Sequence, residues 1–75
     1  MSAPDRRLRR YHFSVAIEHH NRASEYISIF RRHRHKLTAM QRFNIMRGIN
    51  ANLDEAWKHA CIVVELNEII GDTML

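Results

Sequence analysis

The chain has 75 residues, a net charge of +4, 27% charged residues and a single cysteine, Cys61. One small domain is expected, and an internal disulfide is excluded. The longest strictly apolar run, Ala60–Val64, is far short of the roughly 18 residues that a membrane span needs.

A domain this small buries only about 60% of its unfolded surface, so it needs idealised packing or a second chain. The lone thiol fits a reducing compartment and reads as a small apolar core residue. The basic N-terminus is not followed by a signal-peptide core, so a cytoplasmic protein is expected. Charge is unevenly spread. Residues 1–50 hold eleven Lys/Arg against three Asp/Glu, and residues 51–75 hold one lysine against five carboxylates. Such asymmetry marks an interaction surface, or an acidic helix lying on a basic one.

In chain order, Ser2, Pro4 and Asp5 signal the start of a first helix. No glycine or proline follows until Gly48, so one helix over about residues 5–36 is expected. Its weakest stretch is HHNRAS, residues 19–24. At 1.5 Å per residue it spans roughly 48 Å, whereas a compact chain of this length has a radius of gyration of about 11 Å. The helix therefore either breaks near Asn21 or is covered by another chain. Thr38 and Gln41 form a capping box that opens a short second helix, about 39–47, stopped by Gly48. Asn52 and Glu55 form a second box, opening a third helix, about 53–70, that ends at Gly71. No strand or hairpin signal is present.

The apolar faces of helices one and three are wider than one chain can cover. The expected architecture is all-α: a single domain, residues 1–75, with a long N-terminal helix, a short middle helix and a C-terminal helix. Two copies would intertwine as a homodimer with the long first helices at its centre. Phe13, Ile17, Ile27, Phe30, Phe43, Trp57, Val63 and Val64 would carry the core and the dimer contact.

Chemistry-bearing patterns are sparse. No two of the six histidines are spaced i, i+3 or i, i+4, so no helical metal site is expected. Ser14, Ser24 and Ser28 sit within a helix, with no nucleophile elbow and no phosphate-cradling glycine loop. Neither an enzyme, a cofactor nor a small-molecule substrate is expected. The basic clusters are the strongest remaining signal: Arg6, Arg7, Arg9 and Arg10, then Arg31, Arg32, Arg34 and Lys36. Arginine pairs bidentately with carboxylate or phosphate. Three readings stand: solvated or internally paired charge that also finishes the helix, an acidic protein partner, or nucleic acid. A helix-turn-helix about Gly48 would put Asp54 and Glu55 against the DNA backbone, so nucleic-acid contacts would have to come from helix one.

The segment FSVAIEHHNRASEYISIFRRHRHKL, residues 13–37, resembles small accessory proteins of lambda-like bacteriophages, encoded in the early region between the exonuclease and excisionase genes. Beyond that segment the resemblance is one of general similarity over most of the chain and carries no diagnostic motif, so it transfers no site residues. It implies a short helical regulator of phage development that acts on a host or phage macromolecule in the bacterial cytoplasm. Taken together, these readings describe a non-enzymatic homodimeric regulator that binds an acidic partner through its basic helix. The alternatives are a DNA-binding transcriptional regulator and a structural assembly factor.

Overall fold

The computed structural model describes residues 3–71. Two helices of nearly equal length fold back on each other. Helix α1 spans Ala3–His33, and helix α2 spans Ala39–Ile70. A single 3-10 turn, Arg34–Lys36, joins them, followed by the extended residue Leu37. The result is an antiparallel helical hairpin measuring 53 × 16 × 15 Å.

α1 runs unbroken through Asn21, with Asp5 in its first turn and Arg31, Arg32 and His33 in its last. Charges of these signs at these ends favour the helix dipole. The helix gives way to the 3-10 turn at Arg34, three residues before the expected end. The expected Ser2 cap lies outside the described residues. Thr38 opens α2 with the anticipated capping box. Gln41 N–H donates to Thr38 Oγ1 at 3.1 Å, and Thr38 N–H donates to Gln41 Oε1 at 2.9 Å. Gly71 closes α2 in the left-handed conformation, with φ of 71° and its N–H bonded to the Asn67 and Glu68 carbonyls.

The expected short middle helix and separate C-terminal helix are one continuous helix. Gly48 does not adopt a positive φ; among the described glycines only Gly71 does. Instead Gly48 lies inside α2, where the Tyr26 ring of α1 covers it. A Cβ added at Gly48 would stand 3.3 Å from Tyr26 Cε2. Asn52 is likewise not a cap. Its Nδ2 donates to the Gly48 carbonyl at 2.8 Å, and its Oδ1 meets His19 Nδ1 at 2.9 Å. Both supposed boundary residues thus have partners inside the hairpin that a stop would not supply.

Fusing the two segments makes α2 as long as α1. This corrects the expectation that no part of the chain could run alongside the long first helix. The radius of gyration, 16.2 Å, is that of a rod. Register is set by cross-helix contacts: Arg9 with Asn67, His12 with His59, His19 with Asn52, and Tyr26 over Gly48.

Coverage remains one-sided, because each helix of a hairpin buries one stripe. Among the described residues only Ala23, Val63, Leu66 and Ile70 are buried. Of the residues expected in the core or dimer contact, Val63 is buried, and Ile27 and Phe30 are half-buried. Phe13, Ile17, Phe43, Trp57 and Val64 are exposed, Trp57 by 73%.

Candidate interaction surfaces

The turn end of the hairpin gathers one sign of charge. Between Glu25 and Asp54 the sequence has no carboxylate. Over the same stretch α1 and the 3-10 turn supply Arg31, Arg32, Arg34 and Lys36, while α2 supplies Arg42 and Arg47. All six side chains are exposed. Three of them make local contacts that keep the tip in shape. Arg32 Nη2 donates to Ser28 Oγ at 3.1 Å, and Arg42 Nε donates to the Leu37 carbonyl at 3.3 Å. Arg47 lies over the Phe43 ring, 5.9 Å from its centre. Among the described residues no carboxylate pairs with any of the six. Arg42 and Arg47 enlarge the expected surface. In the sequence they sit beyond the supposed helix boundary, and only the hairpin brings them beside α1.

The first arginine cluster sits in a different setting. Arg6, Arg7 and Arg10 are exposed at the open end, and Arg9 is half-buried. Arg9 Nη1 donates to Asn67 Oδ1 across the seam at 3.1 Å. The C-terminal turns of α2 bring Glu65 and Glu68 to this same end. The open end therefore mixes four arginines with Asp5, Glu65 and Glu68, and the two basic clusters are not equivalent. The fold separates them to opposite ends of the rod.

The middle of the seam holds a polar network that reading histidines one helix at a time overlooks. His12 Nδ1 and His59 Nδ1 lie 2.7 Å apart, and the rings stack at 5.0 Å. One ring must donate and the other accept. His19 stacks on His59 at 6.4 Å. Because Asn52 Nδ2 is committed to the Gly48 carbonyl, Asn52 Oδ1 accepts from His19 Nδ1. Glu55 Oε2 approaches His59 Nε2 at 3.7 Å. Only the antiparallel register, with α2 unbroken, brings these side chains together. Among the described residues no group of three or more His, Cys, Asp or Glu side chains could hold a metal ion.

An apolar groove flanks the seam on one face. Ala16, Ile17 and His20 form one wall, and Leu53, Ala56, Trp57 and Ala60 form the other, enclosing about 350 Å³. A second hollow of about 380 Å³ continues it along α2 past Cys61 and Val64 to Glu65. His20 is exposed on this groove. Among the described residues no helix is long and apolar enough to cross a membrane. No family model, curated protein or solved structure significantly matches this chain.

Proposed function

We propose that this protein is a non-enzymatic regulatory interaction module that works as a homodimer and binds an acidic protein partner through the basic tip of its hairpin. The observation that carries this reading is the composition of the tip. Six exposed Lys/Arg side chains converge from both helices with no carboxylate among them. Arginine predominates, which suits bidentate pairing with carboxylates. Concentrating like charge raises the local potential and speeds encounter with a partner of opposite sign. The resemblance to early-region phage proteins supports a regulatory role in phage development, exerted in the host cytoplasm. The charge could equally serve a nucleic-acid backbone, and the two partners differ in what they would demand of the tip. Duplex DNA would bind with little sequence preference and steep salt dependence.

The test compares wild type with Arg31→Ala/Arg32→Ala/Arg34→Ala, using Arg6→Ala/Arg7→Ala/Arg10→Ala as the control of equal charge loss. The tip variant is expected to lose a protein captured from host extract while the control retains it. Identical captures would refute the tip as the binding surface. Random duplex DNA titrated at 50 and 200 mM salt separates the alternatives. Tight binding lost at the higher salt would move the reading to a nucleic-acid regulator.

A further inference from the structure

We propose that two copies of the hairpin dock groove to groove in antiparallel orientation, forming a four-helix rod with a basic tip at each end. This rests on the dimeric reading above and adds to it the face and the orientation.

The face follows from what the hairpin leaves open. Ile17 and His20 of α1, with Leu53, Trp57, Ala60 and Val64 of α2, line one groove beside the seam. Trp57 and Val64 are 73% and 58% exposed there. The chain presents 5965 Å² of surface to solvent. A compact monomer of its 9.0 kDa mass would present about 4,850 Å². The excess of about 1,100 Å² exceeds the roughly 800 Å² per partner of a standard stable interface. A second hairpin is an occupant that carries the same apolar groove and is large enough to bury an area of this order. Hairpin-on-hairpin packing is the usual way two antiparallel helices complete a bundle core. A two-fold contact also makes the groove its own complement, Trp57 of each copy reaching the other's groove.

The orientation follows from charge. The groove lies near the middle of both helices, so copies overlap along their whole length whichever way they point. Parallel docking would set six cations beside six cations at the tips. Antiparallel docking sets each tip beside an open end, where four arginines are nearly balanced by Asp5, Glu65 and Glu68. Like-charge juxtaposition rejects the first arrangement. The outward ends of the two tips remain free, so the dimer is bivalent, with its binding ends about one rod length apart.

Sedimentation equilibrium at micromolar concentration measures the assembly. Twice the 9.0 kDa chain mass is expected, and a monomer would overturn both the dimeric reading and this inference. Trp57→Glu, and independently Ile17→Glu from the opposite wall, are expected to abolish the dimer with helicity by circular dichroism retained. Both side chains are already exposed in the single hairpin. A dimer untouched by either variant would overturn the choice of face alone. Spin labels on Met40→Cys, at the tip, in a Cys61→Ala background read the orientation. An antiparallel dimer gives a label separation close to the 53 Å rod length. A parallel bundle, with helices about 10 Å apart, would hold the labels within about 25 Å, and that distance would overturn the orientation alone.

Discussion

Gly48 is where the sequence pattern and the tertiary structure part most clearly, and replacing it with alanine tests the continuous second helix. In a helix interior, glycine is less favourable than alanine by about 0.8–1.0 kcal/mol. Gly48→Ala should therefore gain that amount, less the cost of admitting a methyl group. The new Cβ would stand 3.3 Å from Tyr26 Cε2, a few tenths of an ångström closer than ordinary contact. Tyr26 is an exposed side chain, so its ring can swing outward by that distance. Such a shift costs well below the roughly 1–3 kcal/mol of overpacking a closed core. The balance is a net gain of about 0.5 kcal/mol, or a rise of about 2–4 °C in melting temperature for a domain of this size. In a Tyr26→Ala background the contact disappears and the full gain of about 1 kcal/mol is expected. Urea unfolding followed by circular dichroism, at one protein concentration throughout, measures all four states of the cycle. If Gly48 were instead a left-handed cap between two helices, alanine would cost about 1 kcal/mol or more in both backgrounds. A loss in both would refute the single-helix account.

Two further outcomes follow from side-chain bonds. Thr38→Ala removes the acceptor for Gln41 N–H at the start of α2 and should cost about 1 kcal/mol in the same assay. No measurable loss would mean that the turn holds α2 without its capping box. A double-mutant cycle of His12→Ala and His59→Ala at pH 8 should show a coupling of about 0.5–1.5 kcal/mol, the usual net value of such a bond. Additive losses would show that the 2.7 Å contact does not stabilise the hairpin.

The charge map shows how a local pattern changes meaning in the fold. Arg6, Arg7, Arg9 and Arg10 look in sequence like a twin of the cluster at Arg31, Arg32, Arg34 and Lys36. The hairpin returns the acidic end of α2 to the first cluster and carries Arg42 and Arg47 to the second. One cluster is thereby offset and the other reinforced. The histidines follow the same logic. His12 and His59 are 47 positions apart, and their pairing depends on the hairpin register.

Sequence alone determined the features governed by neighbouring residues. These are the Thr38–Gln41 box, the helix stop at Gly71, the absence of any strand signal, and a first helical segment with no glycine or proline after Pro4, whose continuity through Asn21 the fold then decided. Each rests on backbone hydrogen bonding and conformational preference within a few positions. Tertiary structure alone decided Gly48 and Asn52. A glycine favours a helix stop, and an asparagine followed three residues later by a glutamate favours a start. Those preferences amount to about 1 kcal/mol each and yield to packing when another helix supplies a better partner. Here the Tyr26 ring shields the bare backbone at Gly48, and His19 engages the Asn52 amide while that amide bonds back to Gly48. The two segments join, α2 matches α1 in length, and the chain becomes a rod whose tip collects its unopposed positive charge.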